Sequence, residues 1–207
     1  MSNPYLASRR KRALDVLGAV VALLVAAPVL AVAAVAIRLE GRGHPIYRQR
    51  RVGRDGVPFE LYKLRTMVTG AETMGAGLAV DAGDARITRV GAFLRRTSID
   101  ELPNLINVVR GEMSLVGPRP TVQVQVDRYT DRQRRRLDSR PGITGWAQVN
   151  GRASLPWAER IELDLWYHDH ATLRLDVTIM LASVRMVFTG RGLYRGETGG
   201  WREPPRG

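Results

Sequence analysis

A run of twenty-two residues without a charged side chain, residues 16–37, limits what this 207-residue chain can fold into. At 1.5 Å per residue, a helix of that length is about 33 Å long, enough to cross a hydrocarbon core of about 30 Å. A secretory signal peptide is disfavoured, because its apolar stretch is only about 7 to 15 residues long. The run therefore predicts a membrane helix near the N-terminus.

Two features favour a hairpin over a straight spanning helix. Basic residues crowd both ends of the run, at residues 9–12 and again at residues 38–54, and the positive-inside rule then asks for both ends on the cytoplasmic side. Pro28 lies near the middle, where it removes one backbone hydrogen bond and bends or breaks a helix. We therefore expect a re-entrant helix-break-helix over residues 1–39, with a single spanning helix as the alternative.

Composition narrows the chemistry of the rest of the chain. The 32 Lys and Arg residues outnumber the 20 Asp and Glu residues, and the net charge of +12 indicates an anionic partner: nucleic acid, an acidic membrane face or a phosphorylated substrate. The absence of cysteine rules out disulfides, thiolate zinc sites and a Cys nucleophile. Three histidines leave little room for a His-built metal centre, so we expect the chemistry to come from carboxylates, basic groups and hydroxyls.

Periodicity and turn residues predict a mainly α fold with a few short β-strands (α+β), forming one compact core over residues 40–189. The predicted elements are an extended segment at 44–47, a strand at 57–64, a mobile loop at 70–84, a helix from Leu102 to a stop at Gly111, a helix from Thr130 through Arg136, a helix at 154–168 capped by Ser154, and a helix at 175–188. The last two are either core helices or amphipathic helices in the membrane interface. Residues 190–207 are expected to form a flexible tail.

Two adjacent carboxylates, Asp100 and Glu101, follow a pair of arginines and precede the apolar-periodic helix. Pro103 lacks an N–H and is tolerated only in the first turn, which places Asp100 at or next to the N-cap and Glu101 in that turn. There the free N–H groups and the helix dipole keep carboxylates ionised and also attract phosphate. The position suits a simple helix cap as well as a catalytic pair.

An arginine held between two prolines strengthens the catalytic interpretation. Pro118-Arg119-Pro120 presents one guanidinium on a stiff backbone, which suits bidentate recognition of phosphate. Beside it, an ionised Asp can attack phosphorus while its neighbour holds a divalent cation that neutralises the phosphate oxygens. Adjacent residues suit glycoside hydrolysis poorly, because that reaction needs carboxyl groups at least about 5 Å apart across a sugar.

Several short motifs occur in a fixed order along the chain. They are Lys11-Arg12-x-x-Asp15; Pro28 within the apolar run; Pro45-Ile46-x-x-Gln49-x-Arg51-x-Gly53; Tyr62-Lys63-x-Arg65-Thr66-Met67; Ser98-x-Asp100-Glu101-Leu102-Pro103; Gly117-Pro118-Arg119-Pro120; and Arg140-Pro141-Gly142-Ile143-Thr144-Gly145-Trp146-Ala147-Gln148-Val149-Asn150-Gly151-Arg152. In this order they resemble the bacterial sugar transferases, specifically the small monotopic phosphoglycosyl transferases, over roughly residues 8–190. Members often carry Ser before the helix-breaking Pro, where this chain has Ala27.

The resemblance implies a two-step transfer at the cytoplasmic face of the bacterial inner membrane. Asp100 would attack the β-phosphate of a UDP-sugar, UMP would leave, and the phosphosugar would stay on Asp100 until a polyprenol phosphate, such as undecaprenyl phosphate, takes it. Glu101 would be a Mg²⁺ ligand and Arg119 would bind the phosphosugar. The other basic residues that the resemblance assigns to the substrate site are Arg95, Arg65 and Lys63.

Two other functions compete with this one. A membrane-tethered nucleic-acid-binding protein would use residues 128–136 as a basic, phosphate-contacting stripe, but it would leave Asp100 and Glu101 without a role. A soluble nucleotide-sugar glycosyltransferase would have no use for the apolar N-terminal run. We therefore expect a UDP-sugar, a polyprenol phosphate and membrane lipids as partners, and no nucleic acid.

Overall fold

The computed structural model describes residues 3–74, 83–151 and 154–189. The helices are α1 (Pro4–Ala7), α2 (Arg9–Glu40), α3 (Arg89–Arg96), α4 (Asn104–Arg110), α5 (Gln123–Val126), α6 (Asp131–Arg134), α7 (Trp146–Val149), α8 (Trp157–His170) and α9 (Leu173–Thr189). The strands are β1 (Ile46–Val52), β2 (Pro58–Leu64), β3 (Ser114–Val116) and β4 (Gly142–Thr144). The described part of the chain is thus mostly helical with a few short strands, as predicted. The middle of the predicted loop, residues 75–82, and the predicted tail, residues 190–207, lie outside the described residues.

The longest element, α2, is helical without interruption from Arg9 to Glu40 and has Pro28 inside it. The break expected at Pro28 is therefore wrong for the backbone. Proline holds φ near a helical value and removes only one N–H donor, so packing along the helix can keep it helical through that point. Of the described helices, α2 is long and apolar enough to cross a membrane, with a mean hydropathy of 2.9 over eighteen residues.

One face of α2 packs against the rest of the protein, and the other carries exposed apolar side chains. The buried residues recur at helical spacing and are Lys11, Asp15, Ala19, Ala26, Ala33 and Ile37. The exposed face includes Leu17, Leu24, Val25 and Val32, each more than 60% exposed: 64%, 72%, 73% and 71% respectively. An apolar face of this length is unusual for a protein surface that meets only water.

Both ends of α2 are fixed to the same folded body. At the N-terminal end, the buried Lys11 Nζ donates to Ser114 Oγ at 2.7 Å and lies 2.9 Å from Asp176 Oδ2 on α9. At the C-terminal end, the Arg65 guanidinium donates to the carbonyl oxygen of Gly41 at 2.9 Å. About 48 Å of helix therefore lies against one body rather than projecting from it.

The first pair of strands forms an antiparallel hairpin, with Ile46 opposite Leu64 and Val52 opposite Pro58. The turn between them contains Asp55, whose φ of 56° lies in the left-handed region. The predicted strand at 57–64 is confirmed, whereas β1 continues well past the extended segment expected at 44–47. The hairpin carries one basic residue from each strand, Arg51 and Lys63, to the candidate site.

The second pair of strands is short and parallel, with Ser114 opposite Gly142 and Val116 opposite Thr144. The strands lead into two segments that pass very close to each other. A Cβ atom at Gly142 or Gly145 would collide with the backbone of Gly117, so neither position tolerates a side chain without a shift. This close approach brings the segment after β3 against helix α7, which follows β4.

The helices after residue 130 agree with the predictions in kind and differ in their bounds. Thr130 caps α6 and forms the predicted capping box with Gln133. The N-cap of α8 is Pro156 rather than Ser154, whose hydroxyl donates to the carbonyl oxygen of Gly151 at 2.7 Å. Ser154 is therefore used in a local turn, and α8 begins at Trp157.

The last helix, α9, presents an exposed apolar stripe. Its residues are spaced at three or four and comprise Leu173, Val177, Leu181 and Val184. On its other side Ile179 is fully buried beside Val116 and Tyr167. The helix therefore belongs to the core on one face, while its location in a membrane interface stays a prediction.

Candidate active site

The two carboxylates lie in a turn just ahead of α4. Asp100 and Glu101 belong to the 3₁₀ turn Ile99–Glu101, which follows Ser98 in a left-handed conformation with φ 57°. The helix itself begins at Asn104 with Pro103 as N-cap, so the expected placement of Asp100 at the N-cap is wrong. The Leu102 N–H closes this turn by donating to the carbonyl oxygen of Ile99 at 3.2 Å, and Pro103, which has no N–H, cannot continue the series. The predicted stop at Gly111 is confirmed, with φ 92°.

The apolar residues at helical spacing in this segment, Leu102, Leu105, Ile106 and Val109, predict the packed face of α4, and the structure buries a different one. Leu105 and Val108 are buried, whereas Ile106 and Val109 are each 38% exposed. Asn107 is buried as well, and its amide donates to the carbonyl oxygen of Glu60 at 2.6 Å. Asn107, which forms a hydrogen bond to strand β2, thus belongs to the packed face of α4 together with Leu105 and Val108.

Glu101 is held by two cations. Its Oε1 atom accepts from Lys63 Nζ at 2.8 Å and from Arg119 Nη2 at 2.6 Å. Burial would raise the pKa of Glu101, but Arg119 and Lys63 outweigh it and hold the pKa well below its usual range. Glu101 is therefore ionised and oriented, as a group that bridges strand β2 and the segment after β3.

Asp100 has the opposite environment although it is adjacent in sequence. The residue is 8% exposed, and burial together with the negative charge of Glu101 raises its pKa to about 6. Lys63, Arg95 and Arg119 oppose that rise without cancelling it. A pair of carboxylates whose pKa values are pushed apart is a common sign of separate chemical roles.

A cavity of about 230 Å³ opens at these carboxylates. Its walls are formed by Arg51, Lys63, Arg95, Ser98, Asp100, Glu101, Arg119, Pro120, Gln125, Arg136, Ala147, Gln148, Trp157, Arg160 and Asp164. Six of these side chains are basic and three are acidic, so the cavity suits an anion. The predicted site residues Asp100, Glu101, Arg119, Arg95 and Lys63 are all brought together here.

Arg65, which the resemblance also assigned to the substrate site, does not line this cavity. Its guanidinium donates to the carbonyl oxygens of Ile37, Gly41 and Arg42 at the end of α2. Residues two apart lie on the same face of a regular β-strand, so Arg65 would share a face with Lys63 if the strand continued. Strand β2 ends at Leu64, however, and Arg65 lies just beyond it. Arg65 instead satisfies carbonyl groups that a helix C-terminus leaves without partners.

Positive charge in the cavity exceeds what its own carboxylates neutralise. Burial and the nearby guanidinium of Arg119 lower the pKa of Arg51 to about 10 and that of Arg160 to about 10. The Arg51 guanidinium is fixed by Gln49 Oε1 and by the carbonyl oxygen of Pro120. Crowded cations that are held in place in this way favour binding of an anionic ligand.

The basic stretch at residues 128–136 is engaged largely within the protein. Arg132 and Arg135 form ion pairs with Glu162 and Asp169 of α8 at 2.6 Å and 2.5 Å. Arg136 is buried and its Nε donates to Asp164 Oδ2 at 2.7 Å. These pairs leave fewer cations for the phosphate stripe that a nucleic-acid-binding protein would need.

Comparison with known proteins identifies the family. A family model described as bacterial sugar transferase matches residues 6–190, which is most of the chain. This chain is a bacterial sugar transferase. The family resemblance inferred from the motifs is thereby confirmed, and the chain is an enzyme of the transferase class.

Relatives of this sugar transferase include proteins with named reactions. It is 40% identical over 185 residues to an uncharacterized sugar transferase, EpsL, of Bacillus subtilis, covering 89% of this chain and 90% of that protein. It is 44% identical over 193 residues to the UDP-glucose:undecaprenyl-phosphate glucose-1-phosphate transferase of Caulobacter vibrioides, covering 89% and 72%. It is 42% identical over 189 residues to the UDP-N-acetylgalactosamine-undecaprenyl-phosphate N-acetylgalactosaminephosphotransferase of Aeromonas hydrophila, covering 88% of this chain and 44% of that longer protein.

Sequence patterns do not assign every residue of this sugar transferase's cavity. Arg51 and Gln148 occur in the motifs but carry no individual role there. Arg160 and Asp164 occur on α8, which the pattern predicted only as a core or interfacial helix. The available signal was their spacing of four, which places a cation and an anion on one face of the helix.

Proposed function

We propose that this protein transfers a sugar 1-phosphate from a UDP-sugar to a polyprenol phosphate, giving UMP and a polyprenol-diphosphate-sugar. The observation that carries the proposal is the pair of carboxylates in a cationic cavity: Asp100 next to a cation-bound Glu101. Two relatives are named for transfer of a sugar phosphate to undecaprenyl phosphate, which supports the same acceptor here. The reaction is the first membrane step in building a surface glycan.

The proposed reaction has two steps on Asp100. In the first, a carboxylate oxygen of Asp100 bonds to the β-phosphorus, the bond from that phosphorus to the bridging oxygen breaks, and UMP leaves with the electron pair. In the second, a phosphate oxygen of the acceptor bonds to the same phosphorus, and Asp100 leaves as a carboxylate. Arg119, Arg51 and Arg95 hold the phosphate oxygens and lower the repulsion between two anions.

The residues fit a Mg²⁺ ion that is shared with the substrate. Within the described residues no group of three or more His, Asp or Glu side chains is placed to hold a metal, but Mg²⁺ commonly uses one or two carboxylates together with substrate phosphates. The Oε2 atom of Glu101 has one long contact of 3.5 Å to Arg119 Nη1, whereas Oε1 is taken by both cations. Glu101 would hold the ion, which would neutralise charge on the diphosphate.

An apolar groove beside the cavity supports a lipid acceptor. It has a volume of about 710 Å³ and lies between α2 and α3, from Pro28 and Val32 past Phe93 to Ile99. Ile99 immediately precedes Asp100 in the chain. An isoprenoid chain in this groove would have its phosphate at the end nearest the nucleophile.

The packing of α2 supports attachment to one face of a membrane. Residues 1–39 would form the membrane segment and residues 40–189 the catalytic domain, at the cytoplasmic face of the bacterial inner membrane. Because both ends of α2 contact one body, a straight crossing would require part of that body to enter the opposite side. We propose a monotopic arrangement in which α2 stays on one side of the membrane and its exposed face meets lipid.

The first test is an assay of UMP release. The detergent-solubilised protein is incubated with UDP-sugars, Mg²⁺ and polyprenol phosphate, and UMP is followed over time. We expect Asp100→Asn to lower the rate by at least about three orders of magnitude, because the nucleophile is lost. Asp127→Asn, which alters an exposed carboxylate that bonds Gln123, is the matched control and should keep wild-type activity. Full activity of Asp100→Asn would remove Asp100 as the nucleophile.

A second assay tests the covalent intermediate. With UDP-sugar and Mg²⁺ but without acceptor, labelled UMP should exchange into the UDP-sugar pool, because the first step is reversible on Asp100. A direct transfer that needs both substrates bound would give no exchange. The nucleic-acid function would instead be favoured if the protein bound nucleic acid with an affinity that fell steeply with salt and turned over none of the UDP-sugars.

A further inference from the structure

Part of the cavity wall carries buried polar atoms that lack partners. Gln148 on α7 is 6% exposed, and neither its Oε1 nor its Nε2 atom has a hydrogen-bond partner among the described residues. Asp164 on α8 is 2% exposed, and its Oδ1 atom likewise has none. Both residues line the same cavity as Asp100.

Unpaired polar atoms in a protein interior are costly. A buried donor or acceptor without a partner destabilises a fold by about 1–3 kcal/mol, and native structures contain few of them. Three such atoms on two residues of one cavity therefore call for a ligand that supplies the partners. Groups of this kind are a recognised basis of specificity, since a ligand that lacks the matching group leaves them unpaired.

The two side chains are held in place by their surroundings. A Cβ atom at Gly145 would lie 2.8 Å from Gln148 Oε1, so the glutamine fills the space that this glycine leaves. Asp164 is fixed through its other oxygen, Oδ2, by Arg136 Nε at 2.7 Å. Arg136 also donates from Nη2 to the carbonyl oxygen of Arg119 at 2.6 Å, which links this wall to the residue that holds Glu101.

The chemistry of these atoms selects the kind of group they bind. A carboxylate oxygen paired with arginine only accepts hydrogen bonds and repels phosphate, whereas an amide both donates and accepts. Phosphate oxygens are served by the arginines of the cavity. The group beside Gln148 and Asp164 must therefore be neutral and must carry donors as well as acceptors, which describes the hydroxyl groups of a sugar ring.

We propose that Gln148 and Asp164 bind the hydroxyl groups of a sugar ring of the donor and so determine its specificity, a role that rests on the proposed function. An O–H of the ring donates to Asp164 Oδ1, and a second hydroxyl exchanges hydrogen bonds with the Gln148 amide. The ring is either the ribose of the UMP half or the hexose that is transferred. Both present hydroxyls of the same chemistry next to a diphosphate.

The test uses Gln148→Met, which keeps the length of the side chain and removes its polar atoms. Because those atoms are unpaired in the free protein, the thermal midpoint of the variant should equal or exceed that of the wild type. Its KM for the UDP-sugar should rise about 10- to 100-fold. Gln123→Met changes an exposed glutamine outside the cavity, bonded to Asp127, and is the matched control with wild-type kinetics. Gln148→Ala is measured alongside, so that a fold defect in one variant does not decide the result.

Binding measurements separate the two rings. If the ribose is bound, Gln148→Met should bind UMP about tenfold or more weakly in calorimetry and should lose the wild-type preference for UMP over its 2′- and 3′-deoxy analogues. If the hexose is bound, UMP affinity should stay unchanged while the KM for the UDP-sugar rises. The inference is overturned if both folded variants keep the wild-type UMP affinity and the wild-type KM within twofold. Failure of the wild type to turn over any UDP-sugar would instead overturn the proposed function.

Discussion

At the scale of single residues, the adjacent carboxylates differ because their partners differ. Glu101 is paired with Lys63 and Arg119, whereas Asp100 is buried beside the negative charge of Glu101. Glu101 is therefore an oriented anion throughout the pH range in which the enzyme would be assayed. Asp100 becomes a carboxylate only near neutral pH, and an anion with a raised pKa is a better nucleophile once it is ionised.

This difference predicts the pH dependence of the first step. The rate of UMP exchange should rise about tenfold per pH unit while Asp100 is protonated and level off once it is ionised, since only ionised Asp100 attacks. The pKa of Asp100 is about 6 in the metal-free protein, and a Mg²⁺ ion at Glu101 would shift the break to lower pH. Glu101, whose pKa is held low, should add no second limb in that range. A pH profile of kcat/KM between pH 5 and pH 8 tests this. A rate that falls as the pH rises through this range would contradict attack by ionised Asp100.

The same shift predicts a change in stability. A pKa raised above the unfolded value means that the folded state favours the protonated Asp100, so this contribution to stability is present below about pH 4 and is lost as the pH rises through about 6. Asp100→Asn should therefore raise the thermal midpoint at pH 7 and leave it nearly unchanged at pH 4. Scans of wild type and variant at both pH values give the comparison, and an equal midpoint at pH 7 would contradict it.

Two arginines from the family motifs should behave differently. Arg119→Ala removes a cation from Glu101 and from the cavity, and we expect kcat/KM to fall about 10²- to 10³-fold. Arg65→Ala removes hydrogen bonds to the end of α2, and we expect a loss of about 1–3 kcal/mol in the free energy of unfolding with kcat/KM within about threefold. Chemical denaturation and kinetics on both variants make the comparison. An equal loss of kcat/KM would place Arg65 in the substrate site.

At the scale of elements, α2 is held by a buried ionic cluster as well as by apolar packing. Lys11 Nζ lies 2.9 Å from both Asp15 Oδ1 and Asp176 Oδ2, and the hydroxyl of Tyr167 donates to Asp176 Oδ1 at 2.6 Å. Breaking a buried pair by removing one partner is costly, because the other charge stays buried. The cluster therefore fixes the N-terminal end of α2 against β3 and α9.

We expect Lys11→Met to lower the free energy of unfolding by about 3–5 kcal/mol, since two buried carboxylates then lose their cation. Arg10→Met alters an exposed residue one position away and should stay within about 0.5 kcal/mol of the wild type. Denaturant unfolding in detergent provides the measurement. Equal stability of the two variants would mean that the cluster contributes little.

At the scale of the whole molecule, the contacts of α2 make its topology in a membrane a property of the entire fold. The helix is long enough to cross a bilayer, yet its two ends contact β3 and α9 at one end and the segment after β2 at the other. An isolated helix of this length would be free to span a bilayer. Here α2 packs against the folded body, and a crossing would separate the two and expose the buried face of α2, which includes Lys11 and Ile37, to lipid.

Cysteine labelling tests this topology directly, because the chain has no cysteine of its own. Single cysteines introduced at Ser8 and at the exposed His44 should react with a membrane-impermeant reagent from the same side of sealed vesicles. The two positions flank α2, so any difference between them reports on the helix. Labelling from opposite sides would replace the proposed arrangement by a spanning helix.

The sequence alone determined the features that depend on neighbours along the chain. The long apolar helix, the strand at 57–64, the Thr130 cap, the Gly111 stop and the pairing of Asp100 with Glu101 all follow from local patterns. The order of the motifs was enough to indicate the family, which the comparison confirmed.

Only the tertiary structure decided which charges meet. It brought Arg51 and Arg160 into the cavity and left Arg65 at the end of α2, although Arg65 was among the residues that the resemblance assigned to the substrate site. It also raised the pKa of Asp100 and left the Gln148 side chain without a hydrogen-bond partner in the part of the chain that the structure describes. Burial and ionic contacts arise between residues far apart in the chain, so no local sequence pattern predicts their effects on pKa values and on hydrogen bonding.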